Sequence, residues 1–441
     1  MARRKQRAQA PKIIELDIVD LLHDGRGLGR HDGKAVFVAG ALTGERVRAQ
    51  VNDFHKQFDE AVTLEVLQAS PDRVVPKCAH FGVCGGCVLQ HLAPAAQIAA
   101  KQKTMIDNLQ RIGQVQPERL LPALVGEPWG YRRRGRLSVR NVQKKGRVLV
   151  GFRETNGKYV ADIQSCAVLH PALGERLTAI TALMTALDAR ASVPQIEVAV
   201  ADAAVAMVFR HLQPLSAADQ QRLVQFAQAE NMAVFLQPSG NASVHLLWPE
   251  HAELVYRLSE YALQIDFAPL DFIQINGAMN VRMIDLALSL LAPAADDQVL
   301  DLFCGLGNFT LPLARRVAAV VGIEGEPALI ERARANARAN GIGNAEFQVA
   351  DLSLDQRDAD WARRRYDKLL LDPARAGADQ VLGWLPTATI ERIVYVSCHP
   401  GTLARDAGVL VRDHGYRLIA AGVMDMFPHT AHVESIAVFE R

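Results

Sequence analysis

Arg392-Ile-Val-Tyr-Val-Ser397-Cys398-His399-Pro400 is a run of apolar and β-branched residues that ends in a Ser-Cys-His-Pro turn. Its composition predicts a buried strand, and the turn delivers a thiol to the strand's carboxyl end, where open α/β sheets bind their ligands. Upstream, Val299-Leu-Asp301-Leu-Phe303-Cys304-Gly305-Leu-Gly307-Asn308-Phe309 ends a second strand in a glycine loop and opens a helix. Between and around these stretches the pattern predicts helices at 277–291, 308–316 and 326–340. Strands are expected at 298–303, 318–323, 345–349 and 368–372, followed by a terminal pair at 416–424 and 432–439. Such alternation argues for a doubly wound α/β sheet over 271–441.

The chain has 441 residues, 49% hydrophobic and 22% charged, enough for two or three domains with cores of their own. No apolar run approaches a membrane span, and Met1-Ala-Arg-Arg-Lys5 lacks the apolar stretch of a signal peptide, so a cytoplasmic protein without membrane contact is expected. Six cysteines, unevenly spread, do not make a secreted disulfide framework and point to metal or catalytic roles. The net charge of +1 hides a concentration of basic residues. Tyr131 to Arg153 contains nine Lys or Arg and no carboxylate, and the opening tail adds Arg3, Arg4, Lys5, Arg7 and Lys12. Clusters of this kind favour polyanions through counterion release, although each alone also suits a solvated basic face.

In chain order, residues 1–11 are expected to be disordered. Residues 12–70 hold about five short strands broken by glycine turns, the size of a small OB-like β-barrel, and this stretch resembles the TRAM module of RNA-modifying enzymes. Pro71 to Pro76 marks a boundary. A central α+β domain over 71–270 follows, with a helix at 95–112 expected on the catalytic domain, strands near 195–200, 204–209 and 233–236, and a helix from Ser216 to Glu230 with Ser216 as N-cap. Near its start stand Cys78, Cys84 and Cys87, spaced C-x5-C-x2-C around Gly85-Gly86, with Cys166 available 78 residues later as a fourth ligand. Four thiolates serve either zinc or a [4Fe–4S] cluster, and the missing second C-x2-C knuckle favours the cluster. His80 is an alternative ligand, more naturally an ordinary loop residue.

The C-terminal strand ends carry the chemistry. The glycine loop alone is a weak signal. Glu324, about 20 residues on and at the end of the next strand, suits ribose hydroxyls, and Asp351 repeats the arrangement one strand later. Three successive strand ends marked in this way, with no phosphate-binding lysine motif, fit S-adenosylmethionine better than ATP or NAD. Asp372-Pro373-Ala374-Arg375 stands where enzymes that methylate exocyclic amines usually carry Asn-Pro-Pro-aromatic, which argues for methylation at carbon. Carbon 5 of a pyrimidine becomes nucleophilic when a thiolate adds at carbon 6, and Cys398, at a strand end before a helix N-terminus, is expected to gain from the helix dipole. A general base must then take the carbon-5 proton, and Glu434 on the last strand, flanked by His429 and His432 in a polar cleft, is the candidate. Cys304 is read as packed beside the cofactor.

Phe272-Ile-Gln274-Ile-Asn276, Asp301-Leu-Phe-Cys-Gly-Leu-Gly-Asn308-Phe, Asp372-Pro-Ala-Arg, Ser397-Cys-His-Pro and His432-Val-Glu434 together resemble the motifs of the RNA uracil-5-methyltransferase family. The resemblance implies a Rossmann-like S-adenosylmethionine methyltransferase domain, with Cys398 as nucleophile and Glu434 as proton acceptor. It implies cofactor contacts from Gln274, Phe303, Asn308, Glu324, Asp351 and Asp372, and a [4Fe–4S] cluster held by Cys78, Cys84, Cys87 and Cys166. Carrying both TRAM module and cluster, the chain most resembles the branch acting on 23S ribosomal RNA, as a monomer with no protein partner implied. Two positions depart from the family pattern: Ala374 replaces a proline and His399 an asparagine. Two rivals stand beside this expectation, a cytosine-5 methyltransferase using the same thiol logic and a non-enzymatic iron–sulfur RNA-binding protein on a degenerate methyltransferase fold.

Overall fold

The computed structural model describes residues 11–441 except 156, 386 and 388. The expected disorder at the start of the chain, and with it Arg3, Arg4, Lys5 and Arg7, falls outside the described residues. The chain forms two compact units. One runs to Lys101 and takes in Pro428–His432; the other holds Gln102–Phe427 and Val433–Arg441.

In the first unit, β1 (Lys12–Leu21), β2 (Gly27–His31), β3 (Lys34–Ala39), β4 (Arg46–Phe54) and β5 (Phe58–Gln68) close into a barrel in the order β1-β2-β3-β5-β4. Alternate residues point inward: Ile14, Leu16, Ile18, Val36, Val38, Val47, Ala49 and Val51 build its core. Gly29 is needed where β2 crosses β1, because a Cβ there would lie 2.6 Å from Leu16 Cδ1. The connection out of the barrel is fastened by one carboxylate. Glu45 accepts from the amides of Leu42 (2.8 Å) and Ser70 (3.2 Å) and from Arg73 Nε (2.5 Å) and Nη2 (2.8 Å). Burial raises the proton affinity of Glu45, but Arg73 and the two amides outweigh it and hold the carboxyl below its ordinary value.

Helix α1 (Pro94–Asn108) starts in this unit and continues as one π-type turn over Leu109–Gly113, so the expected helix is present but its last turn is widened. That turn packs on the helix Pro400–Arg412. Gly113 is small there because an added Cβ would meet Ala404 O at 2.4 Å.

The second unit carries two large sheets. β6 (Arg119–Leu120), β7 (Arg134–Val142), β8 (Arg147–Gly151), β9 (Gln195–Val200), β10 (Val205–Arg210), β11 (Ala233–Gln237) and β12 (His245–Trp248) precede a hairpin of β13 (Val255–Leu258) and β14 (Leu263–Asp266). The six-stranded sheet runs β12-β11-β10-β9-β7-β8. Helices α2 (Pro171–Gly174), α3 (Leu177–Ala186) and α4 (Ala217–Glu230) belong to it, and Ser216 caps α4 by accepting from Asp219 N at 3.1 Å, as expected. Then come α5 (Gly277–Leu291), β15 (Gln298–Leu302), α6 (Thr310–Ala314), β16 (Ala319–Glu324), α7 (Pro327–Ala339), β17 (Ala345–Val349), β18 (Lys368–Leu371), α8 (Asp379–Leu382), β19 (Arg392–Ser397), α9 (Pro400–Arg412), β20 (Arg417–Met424) and β21 (Glu434–Glu440).

These strands form an eight-stranded sheet in the order β17-β16-β15-β18-β19-β21-β20-β6. It is parallel from β17 to β19 and turns antiparallel at β21. The short strand β6 extends it by pairing parallel to β20 (Ala420↔Arg119). The compact units therefore divide at Lys101, whereas the sequence pattern placed boundaries at 70 and 270. The reason is packing: one hydrophobic core contains Val208 and Phe235 of the six-stranded sheet, Leu258 and Ile265 of the hairpin, and Val299, Leu370 and Val394 of the eight-stranded sheet.

The basic stretch 131–153 is also altered by folding. Arg133 pairs with Asp202 (2.6 Å), Arg136 with Glu197 (2.8 Å), and Lys145 and Arg147 with Asp162 (2.7 Å each), all carboxylates distant in sequence. Among the described residues no helix is long and apolar enough to cross a membrane. We expect Glu45→Gln to destabilise the first unit by about 1–3 kcal/mol, through the loss of charge-assisted bonds at a buried site, as read from the midpoint of its urea unfolding curve.

Candidate active site

Parallel pairing brings the carboxyl ends of β15, β16, β18 and β19 to one edge of the sheet. At β15 the chain turns sharply: Phe303 N and Cys304 N both donate to Ile323 O (2.9 and 3.0 Å), and Phe303 sits at φ +67°. A non-glycine residue in that region is strained and is held there by its surroundings. Gly305 and Gly307 follow at φ +54° and +89°. Gly305 N donates to Glu324 Oε2 (3.2 Å), while Glu324 Oε1 accepts from Gly325 N (2.7 Å) and Glu326 N (3.2 Å). Glu324 thus ties the glycine loop to the end of β16. A carboxylate offers about four lone-pair sites, so these amides do not exhaust it.

Asp301, fully buried, accepts from Thr310 Oγ1 at 2.5 Å and anchors the start of α6. Cys304 is buried and packs on Gly322, where an added Cβ would come within 3.0 Å of its sulfur; burial pushes its thiol up, as suits a packing residue. Asn308 is held by two neighbours, described below. Asp351 lies exposed at the end of β17, with Oδ1 accepting from Ser353 N (2.9 Å) and Ser353 Oγ (2.6 Å). Gln274 lines a cleft of about 340 Å³, just before Asn276, which caps α5 by accepting from Met279 N at 3.2 Å.

The thiol and carboxylate expected to react come from the ends of β19 and β21. Their antiparallel register sets Ser397 opposite Ser435, so Cys398, the next residue along, is brought beside Glu434. Asp372 ends the neighbouring strand β18, paired with β19 through Leu371↔Tyr395. Burial pushes the Asp372 carboxyl up to about 7. Burial, then the charge of Asp372, pushes Glu434 well above the carboxylate range.

The thiol of Cys398 is correspondingly pushed up to about 11 by burial and by the carboxylates of Glu434 and Asp372, with Arg375 opposing them. Cys398 stands just before the N-terminus of α9, where the dipole acts against burial and the two acids.

The two departures from the family pattern find a structural reading. His399 Nδ1 accepts from Thr402 N at 3.2 Å and caps α9, the service an asparagine would give. Ala374 is exposed, and its loop is held by Gly377 N donating to Ala374 O (2.9 Å) and Ala378 N donating to buried Asp406 (2.7 Å).

Of the two histidines flanking Glu434 in sequence, His429 has a defined backbone role. His429 belongs to the first unit, where Val88 N and Leu89 N donate to its carbonyl (3.0 Å each) and Gln97 Oε1 accepts from its amide at 2.9 Å. It is a fastened turn residue. The sequence reading also missed Asn280, Tyr256 and Gln97; the signal for Asn280 was its place one turn inside a helix opened by Asn276-Gly277.

Cys78, Cys84 and Cys87 share a tight loop. Phe81 N donates to Cys78 O (3.1 Å), Cys84 N to His80 O (2.9 Å), and Gly82 takes φ +87°. Cys78 N donates to Gln90 Oε1 at 3.1 Å. None of the six cysteines is in a disulfide, and Cys78, Cys84, Cys87 and Cys166 are all half-buried. Among the described residues no three His, Cys, Asp or Glu side chains are gathered as a metal-holding group.

A glycine loop, strand-end acids and a thiol–carboxylate pair on a mostly parallel sheet define a methyltransferase fold, here preceded by a TRAM barrel. The family model for tRNA (Uracil-5-)-methyltransferase matches residues 255–441, and that for the TRAM domain matches residues 9–64. The chain is 56% identical over 444 residues to the 23S rRNA (uracil(1939)-C(5))-methyltransferase RlmD of Xanthomonas campestris pv. campestris (strain 8004), covering 100% of both chains. It is 58% identical over 431 residues, 97% of each chain, to the protein of the same name from Xylella fastidiosa (strain Temecula1). Among solved structures, the Pyrococcus abyssi tRNA (uracil-54, C5)-methyltransferase in complex with S-adenosyl-L-homocysteine shares the fold, with a TM-score of 0.72 at 24% identity over 96% of this chain and 99% of that one. The chain belongs to the RNA uracil-C5-methyltransferase family.

The charges around Cys398 give a signed expectation. Removing a nearby carboxylate favours the thiolate, so at pH 8 Glu434→Gln should speed alkylation of Cys398 by iodoacetamide, and Arg375→Ala should slow it. About three- to tenfold is expected in each direction, for a shift of about half to one pKa unit. Mass spectrometry of the labelled peptide against pH measures it.

Proposed function

We propose that this chain methylates carbon 5 of the uridine at position 1939 of 23S ribosomal RNA, with S-adenosylmethionine as methyl donor. The observation that carries the reading is the β19–β21 register that brings Cys398 beside Glu434, in a chain alike over its whole length to enzymes named for this reaction. Gln274, Phe303, Asn308, Glu324, Asp351 and Asp372 would hold the donor. When bound, S-adenosylmethionine supplies an electrophilic methyl group on a positively charged sulfonium.

The rest is the work of this chain's own groups. Cys398 gives up its proton to solvent, its thiolate Sγ bonds to carbon 6 of uracil, and carbon 5 becomes electron-rich as the negative charge passes onto the ring. Once carbon 5 carries the methyl group, Glu434 removes the carbon-5 proton, the sulfur–carbon bond breaks, and the thiolate returns. Glu434 must be ionised for this step, and positive charge arriving among buried acids favours that form. The target base must leave its stack to reach a half-buried thiol. The barrel and the 131–153 strands would hold the flanking RNA. Every group in the scheme comes from one chain, which supports action as a monomer, and ribosomal RNA supports a cytoplasmic site.

Tritiated donor and a 23S fragment should yield 5-methyluridine, and fragments with 5-fluorouridine at the target should form a covalent adduct with wild type but not with Cys398→Ala. Glu434→Gln should still form an adduct with ordinary uridine and turn over about 10²–10⁴ times more slowly. Label in 5-methylcytidine would move the substrate to cytosine. No adduct with wild type would favour the RNA-binding reading without catalysis.

We infer further that Cys78, Cys84, Cys87 and Cys166 hold a [4Fe–4S] cluster. The donor set fits, being four half-buried thiols outside any disulfide, the number a cluster of this type takes. Protein purified without oxygen should be brown and contain iron and acid-labile sulfide, which Cys87→Ser loses; colourless protein with zinc would overturn the cluster.

A further inference from the structure

The side chain of Asn308 is not free to choose its orientation. Its Oδ1 accepts from Asn280 Nδ2 (2.8 Å) and from the Tyr256 hydroxyl (3.1 Å), and its Nδ2 donates back to Asn280 Oδ1 (2.9 Å). Asn280 is 3% exposed, and its backbone N–H donates to Asn276 O (2.8 Å) in the first turn of α5, so its side chain leaves a buried, regular stretch of helix. Tyr256 stands on β13 of the hairpin, tilted against Phe267 with ring centroids 6.2 Å apart. Two elements that carry none of the expected cofactor residues thus converge on one amide of the glycine loop. Tyr256 and Asn280 also line the cleft of about 340 Å³ that Gln274 enters, so the lock reaches the space of a second expected cofactor residue.

An amide side chain has two acceptor sites on oxygen and two N–H donors. In Asn308 both acceptor sites and one donor are engaged within the protein. One N–H remains, and whatever it meets must be an acceptor.

We infer that Asn280 and Tyr256 are positioning residues that hold Asn308 as a donor toward the carboxylate of the cofactor's amino-acid end. This rests on the methyltransferase reading above. Of the groups that S-adenosylmethionine offers, the ammonium and sulfonium accept no hydrogen bond, whereas the carboxylate is its one charged acceptor, and charge-assisted bonds are the stronger ones. If the lock opens, the amide can flip and offer oxygen in place of N–H. Affinity for the carboxylate then falls, while the adenosine contacts stay as they were.

Calorimetric titration of wild type, Asn280→Ala, Asn308→Ala and the double variant with S-adenosylhomocysteine, and with its analogue lacking only the carboxylate, tests this. Asn280→Ala should weaken S-adenosylhomocysteine about tenfold and leave the decarboxylated analogue unchanged. The double variant should bind no more weakly than Asn308→Ala alone. In turnover, KM for the donor should rise about tenfold, with kcat at saturating donor kept. Equal losses for both ligands, additive losses in the double variant, or no loss at all would overturn the inference. Should Asn280→Ala fail to fold, Tyr256→Phe keeps the ring and removes one donor; about threefold weaker binding of S-adenosylhomocysteine alone is expected, and an unchanged affinity overturns it. Wild type binding neither ligand would overturn the methyltransferase reading, and this inference with it.

Discussion

The pairing of β19 with β21 is the constraint on which the rest of the structure depends. Cys398 and Glu434 lie far apart in the chain and are brought together by one antiparallel ladder whose side chains are almost all buried. A slip of one residue would turn every side chain of the last strand to the opposite face of the sheet, and apolar packing against α5 and α9 forbids it. The two side chains therefore inherit their placement from backbone hydrogen bonds and core packing, with no need for a contact of their own.

That precision carries an electrostatic cost. Buried Asp301, half-buried Asp372 and buried Glu434 are acids raised to about 8, to about 7, and well above the carboxylate range, and the thiol of Cys398 is raised with them. Burial penalises each charged form, and each charge penalises the next. Such a cleft favours a cationic ligand, since a positive charge among the acids relieves both terms at once.

Second-layer residues do much of the positioning. Glu324 ties the glycine loop to β16, and Asp406 accepts from Ala378 N and the Tyr395 hydroxyl (2.6 Å) to hold the loop after Asp372. Asn280 and Tyr256 grip Asn308, and Gln97 fastens the turn at His429 from which the chain goes on to β21. Rigid support of this kind costs the reacting groups no reorganisation when the ligand arrives.

The residues by themselves determined the order of elements and the identity of the candidate groups. Period and punctuation marked β15 to β21, the glycine loop and the Ser-Cys-His-Pro turn, because each is a local pattern with a local cause: β-branched runs, positive-φ glycines, a proline at the first turn of a helix. Only the tertiary structure decided what depends on distant neighbours. It paired four of the basic residues in 131–153 with acids outside that stretch, joined β6 to the far edge of the eight-stranded sheet, merged the cores on either side of residue 270, and set the Cys398 thiol beside two acids, which with burial push it up. Charge pairing, burial and shared core are sums over residues that meet only after folding, so no reading of the chain one stretch at a time could supply them.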